Sequence, residues 1–424
     1  MRKDRRRISG VGVTALVAAA LATTAGGGSV LAQDTVLRIS MGSPGEAGIR
    51  VWDQIAADFE TAHPGVDVQM DYQDDDLYET IGLLNALNSP NPPDIYFEWT
   101  GSRMAQRFAD GFAADLTEYV SGPLAGIWDD DVWPSATVDG KVVLVPHTAD
   151  VTNVLWYNVP LLAEHNITPP TTFEELLAAC DALVAADVIP IASGNKDLWA
   201  AGNWLAHMVS RVVGEESYDT LLGGEGKFSN PDWEKAFGYV AQLREHSCVN
   251  DSANSIADNE GAQLFFQEAA AMHPIGSWLV SWAIDEAPDL DFQFVNLPAM
   301  PEGSLGNQGS VIGVETGYMV NAHSANVPLA VDFLASLNSA DNVKRFVSDA
   351  EIIPIALSVA DAGVDGRSLA LGELLASAPA VVLPPDTGYD LETADALYRG
   401  LAAVLGGQAT PAEALATIDA TLGR

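Results

Sequence analysis

Ten tryptophans in 424 residues carry the clearest chemical potential in this chain: Trp52, Trp99, Trp128, Trp133, Trp156, Trp199, Trp204, Trp233, Trp278 and Trp282. An indole offers a flat apolar face that matches the C–H side of a pyranose ring, while its N–H still donates to a polar partner. Carboxylates and amides can then read sugar hydroxyls through charge-assisted hydrogen bonds. Trp99, Trp199, Trp204 and Trp278 follow strand ends or glycine turns, positions that face a cleft. Trp52, Trp156, Trp233 and Trp282 are expected to fill the core.

Two acidic runs, Asp74-Asp75-Asp76 and Asp129-Asp130-Asp131, could in principle hold calcium or supply the carboxylate pair of a glycosidase. Neither has the alternating spacing of a calcium loop, so loop solvation is the better account of both. Asp74 and Asp75 lie just past a strand end, where open α/β sheets bind ligands, and stay as candidate site residues. The seven histidines are scattered without a metal-ligand spacing. The chain has no nucleophile elbow, phosphate loop, dinucleotide-binding glycine motif or zinc-protease motif. No catalytic residue, metal or cofactor is expected. Cys180 and Cys248 are the only cysteines. In an oxidising compartment they could pair, and two buried free thiols would fit the sequence as well.

Length and composition suit two domains of moderate size. Arg2, Lys3, Arg5, Arg6 and Arg7 precede the apolar run 11–22 and a small-residue stretch, the pattern of a secretory signal cut after Ala32. The arginine cluster leaves both the general and the twin-arginine export routes open. The apolar run is too short to span a bilayer, and nothing later is longer. Removing residues 1–32 leaves 15 Lys and Arg against 57 Asp and Glu, a net charge of −42. Such a field repels phosphate backbones and anionic headgroups, which disfavours nucleic acid and membrane surfaces as partners.

The elements that must position these residues follow the α/β pattern. Strand 36–41, a glycine loop and helix 49–61 open the mature chain, followed by strands at 66–72 and 94–97. This alternation predicts a mostly parallel sheet covered by helices. Extended segments at 141–146 and 151–157 interrupt it. Helices then dominate, at 173–185, 199–213, 231–246 and 259–268, with Thr171 or Thr172 able to cap the first. Short strands are expected at 189–192, 270–275 and 292–296, a glycine-studded extended segment at 309–321, and a helix at 328–337. Gly309 and Gly313 are placed to allow close backbone approach.

Five segments in this order carry a family resemblance: Phe59 to Val68, Pro93-Asp94-Ile95-Tyr96, Trp156-Tyr157-Asn158, Pro170 to Leu176, and Ala270 to Met272 through Gly276-Ser277-Trp278. Together they resemble the family-1 extracellular solute-binding proteins of carbohydrate ABC importers, over nearly the whole mature chain. The resemblance implies an α/β, two-lobed periplasmic-binding-protein fold with hinge strands between lobes. It places crossings near 146–152, 296–298 and 336–342, hence lobe one at 34–147 plus 298–338 and lobe two at 148–297 plus 339–424. It further implies a monomer that closes on a neutral sugar and delivers it to ABC transporter permease subunits. By the same likeness Trp99 and Trp278 are stacking residues, Trp199 and Trp204 a further platform, and Glu46, Asp150 and Asp390 hydroxyl-binding carboxylates. The lipid-bearing cysteine common in the family is missing, which points to a free periplasmic receptor. Two rival readings remain: a polyamine receptor, in which indoles would cage cations, and a secreted glycoside hydrolase.

Overall fold

The computed structural model describes residues 35–130, 132–353, 355 and 366–424. The signal segment 1–32 and Asp131 of the second acidic run lie outside them. Strand Thr35–Gly42 buries Leu37, Ile39 and Met41 on alternate positions and pairs in parallel with Val66–Gln73 and Ile95–Trp99. Helix Gly45–Ala62 repeats Val51, Ile55 and Phe59 at four-residue spacing, so one stripe faces the sheet. With Trp52, Phe333, Leu334 and Phe346 these side chains form a first core.

Beyond these three strands the sheet is mixed. Its path runs Val66–Gln73, Thr35–Gly42, Ile95–Trp99, Val311–Val320, Val145–Asn158, Ala270–Ile275, Ile189–Ile191. The strand Val311–Val320 runs antiparallel to both of its long neighbours, Ile95–Trp99 and Val145–Asn158. The mostly parallel expectation therefore holds at the two edges, where Ala270–Ile275 and Ile189–Ile191 also pair in parallel, and fails in the middle: strands that carry the chain from one lobe to the other and back must run in opposite directions.

Residues 141–157 also differ from expectation. Lys141–Val142 closes a two-strand hairpin with Thr137–Val138, and Val145–Asn158 is then one uninterrupted strand. At about 3.3 Å per residue its 14 residues reach roughly 45 Å, enough to serve both lobes. Its first part pairs with Val311–Val320, and from Val154 onward it pairs with Ala270–Ile275 and Phe292–Val295. Nearly every position along it is buried, polar ones such as His147, Thr152 and Asn153 included, so it shows no regular alternation of polar and apolar residues.

A second core gathers Leu155, Phe173, Leu205, Val209, Trp233, Phe237 and Leu401. Helix Phe173–Ala185 starts at Thr172, whose hydroxyl accepts from Glu175 N (3.2 Å) while Glu175 Oε2 accepts from Thr172 N (3.1 Å), a reciprocal cap. Cys180 and Cys248, both fully buried, form a disulfide with their Cα atoms 5.0 Å apart.

Two segments near the expected crossings pack as follows. The expected lobe one takes in residues 298–338, yet Met300 sits in the second core beside Leu297. The reason is Arg211, only 1% exposed, whose guanidinium donates to Pro298 O (3.2 Å), Asn296 Oδ1 (3.0 Å), Ser310 O (2.5 Å) and the carbonyl of Leu297. This segment is thereby tied to helix Trp199–Val213, and the return to the first core happens along Val311–Val320. Likewise helix Ala340–Ala350, expected in lobe two, puts Val343, Phe346, Val347 and Ala350 into the first core.

A disulfide bridging 68 positions restricts the unfolded chain strongly, by about 4 kcal/mol on loop-closure grounds. Reduction, or Cys180→Ala with Cys248→Ala, should lower the melting temperature measured by circular dichroism by several degrees while far-ultraviolet spectra of the native state stay unchanged.

Candidate ligand-binding site

Between the two cores lies a cleft enclosing about 1250 Å³, counting space open to solvent. Both lobes supply its walls, and the long strand supplies part of its floor through His147, Thr148, Asp150 and Thr152. Trp99 ends strand Ile95–Trp99, its ring edge-on to Phe97 with centroids 4.7 Å apart. From the other lobe, Trp199 opens helix Trp199–Val213 and Trp278 immediately precedes helix Leu279–Glu286. Their rings lie 5.9 Å apart, tilted by 52°. Trp99, Trp199, Trp278 and Trp282 are each half-buried, so part of every ring stays open to the cleft.

Of the expected site residues, the cleft brings together Trp99, Trp199, Trp278, Asp75 and Asp150. Four others are placed elsewhere. Trp204 is 2% exposed in the second core, because the face of the helix that carries it is turned toward Phe173 and Leu176. Glu46 is exposed in the first turn of helix Gly45–Ala62, where a carboxylate suits the positive helix start. Asp74 caps the next turn by accepting from Leu77 N (3.1 Å), and Asp390 caps helix Leu391–Leu405 by accepting from Thr393 N (2.9 Å). Their oxygens are engaged with helix starts and do not line the cleft.

Other cleft residues escaped the sequence reading. Trp282 was expected in the core, yet it lines the cleft and presses on Gly45, where an added Cβ would sit 3.1 Å from its ring. Its i+4 relation to Trp278 on one helix face was the available signal. Glu79 enters the cleft from a π-helical turn, Tyr78–Gly82, a local widening that sequence periodicity does not reveal. Asn203 follows Trp199 by one helical turn, and Asp386 and Thr387 come from a proline-led turn far along the chain.

The cleft is acidic and its carboxyls are not equivalent. Asp150 accepts from Ser277 Oγ at 3.3 Å, too long to offset its desolvation, and burial pushes its pKa up to about 6. Asp386 is also raised by burial, with Arg103 working against the shift. His147, whose Nδ1 donates to Asn338 Oδ1 (2.9 Å), is pushed down to about 4 by burial and is neutral at neutral pH. Among the described residues no group of three or more His, Cys, Asp or Glu side chains is arranged to hold a metal ion.

Asp150 also generates a pH prediction. A carboxyl whose pKa is higher folded than unfolded contributes stability that is complete below about pH 4 and lost as the pH climbs through about 6. Asp150→Asn removes that loss, so at pH 7 the empty variant should be more stable than the parent by about 1–2 kcal/mol in urea unfolding, and the gap should close at pH 4. Equal stability of the two proteins at pH 7 would show that the carboxylate is well solvated in the empty cleft.

Comparison with known proteins places this architecture. An uncharacterized ABC transporter extracellular-binding protein of Pyrococcus horikoshii is 26% identical over 238 residues, 55% of this chain and 54% of that one. The chain spans about half the length of the curated relatives it matches. A solved structure from work on xylan utilization by Caldanaerobius polysaccharolyticus superposes with a TM-score of 0.82 at 21% identity, covering 90% of this chain and 98% of that one. A chitin oligosaccharide binding protein gives a TM-score of 0.81 at 20% identity, covering 92% and 98%. These likenesses show the fold, a two-lobed α/β architecture. The sequence model of the bacterial extracellular solute-binding proteins matches residues 44–344, most of the chain, and the protein belongs to that family.

Proposed function

We propose that this protein is an extracytoplasmic receptor that closes on a neutral sugar or oligosaccharide and delivers it to the permease subunits of an ABC importer. One observation carries the reading: half-buried indoles from both lobes, Trp99 on one side and Trp199 and Trp278 on the other, face a single cleft rimmed by carboxyls, hydroxyls and an amide. Stacking on pyranose faces needs such rings, and the hydroxyls of a glycan need such acceptors. The oligosaccharide named for one structural neighbour, and the xylan named for the other, support the same ligand class.

In this reading lobe one comprises residues 35–144 with the strand Val311–Val320 and the helices through Ala350, and lobe two the remainder. Contacts made with both lobes exist only when the cleft is shut, so ligand shifts the population toward closure and the closed form is what the permease meets. The leader-like segment 1–32 directs export, and the mature receptor acts as a soluble monomer in the periplasm. The helices give no candidate membrane span among the described residues. The receptor binds and releases its ligand unchanged, with no turnover, and the acidic surface keeps nucleic acid away.

Isothermal calorimetry with neutral mono- and disaccharides, cello-, xylo- and chito-oligosaccharides, and spermidine tests the ligand class. Binding of a glycan with Trp99→Ala or Trp278→Ala weakened about tenfold or more is expected, the melting temperature of the empty protein remaining nearly constant. Binding of spermidine alone would replace the sugar by an amine, and shortening of an oligosaccharide on long incubation would make the protein a hydrolase.

A further inference from the structure

The two lobes touch at one end of the cleft through direct contact between their own residues. The loop and first turn after strand Ile95–Trp99 abut the turn Pro385–Gly388 of the opposite lobe. Arg103 Nε donates to Asp386 O (3.2 Å), and Ser102 Oγ donates to Thr387 O (3.0 Å). The backbones come so close that a Cβ on Gly101 would lie 2.3 Å from Thr387 O; Gly101 also has φ +98°, and glycine is the residue that meets both demands.

The cation at this contact is well supported. Glu79 Oε2 lies 3.7 Å from Arg103 Nη2, both side chains being largely buried. The guanidinium carbon stands 4.9 Å over the Trp99 ring, so one face of that indole is occupied by a cation and the other is left to the cleft. The Asp386 carboxyl adds its field from the other lobe. A planar, delocalised guanidinium can meet a carboxylate, a carbonyl and a ring at once, which an ammonium cannot.

We propose that Arg103 is the clasp of the closed state: it binds lobe two through Asp386, is aimed by Glu79 and Trp99, and holds the lobes together in the absence of ligand as well as its presence. The proposal rests on the receptor reading for its ligand consequence but not for its effect on the empty protein. It makes Arg103 a positioning residue, slowing ligand escape without having to touch the ligand. Loss of the one hydrogen bond that this charged group makes across the lobes corresponds to a change of about tenfold or more in the open-to-closed ratio.

Two measurements test it on the full, disulfide-intact chain. Amide hydrogen exchange of the ligand-free protein should rise in Arg103→Ala both at 101–105 and across the cleft at 384–389, with Arg103→Lys intermediate. For a glycan found by calorimetry, stopped-flow should show dissociation about tenfold faster and association little changed. A rise confined to 101–105 would make Arg103 a support of its own lobe only and overturn the proposal, as would an unchanged dissociation rate. Should Arg103→Ala not fold, Arg103→Lys and Ser102→Ala carry the same readouts. Failure of every carbohydrate to bind would sink the sugar reading while the exchange result still judged the clasp.

Discussion

The molecule depends on one strand having two sets of partners. Buried peptide groups must be hydrogen-bonded, and a strand about 45 Å long cannot be satisfied by one small lobe. Val145–Asn158 answers by pairing with Val311–Val320 at one end and with Ala270–Ile275 and Phe292–Val295 at the other. The change of partner falls at Asn153 and Val154. Everything at the cleft floor, from His147 to Thr152, is held at this changeover, where the two sheets diverge and leave room between the cores. The cleft is thus a by-product of satisfying the backbone of a shared strand.

Within that space the polar groups fall into two kinds. Some are neutralised by neighbours: Glu98, raised by burial, is met by Arg107 at 2.9 Å, and Glu79 is met by Arg103. Asp150 has only a long hydrogen bond from Ser277 and pays its desolvation largely alone. A group left in that state gains more from an incoming hydroxyl than one already well paired, so hydrogen-bonding capacity is concentrated at the hinge while the indoles supply area on the flanks. Affinity for a ligand and instability of the empty receptor then have a common source.

Local chemistry made much of the fold legible. Helices Phe173–Ala185 and Trp199–Val213 and strand Ala270–Ile275 follow from caps, periodicity and bounding turns, and their limits coincide with the expected ones. What could not be read was which way a face turns. Trp199 and Trp204 stand five residues apart on one helix, nearly half a rotation, so at most one could face the cleft, and the sequence had no measure of which. Asp74 and Asp390 accept from backbone N–H groups at helix starts, a local claim on a carboxylate that competes with a ligand, whereas Glu46 stands exposed in a first turn that begins four residues earlier than the sequence suggests. The anchoring of residues 296–298 was illegible for a different reason: Arg211 binds them from about 85 residues away, and a long-range guanidinium leaves no local trace.

The bridge between Cys180 and Cys248 closes the intervening chain into a covalent ring that contains Trp199 and Asn203 of the cleft wall. A protease that nicks this ring once leaves both fragments attached, so the lobe can stay assembled around the cut. If the protein works outside the cytoplasm, as proposed, hydrolytic enzymes are shared neighbours there, and damage in this wall of the cleft need not mean loss of the wall.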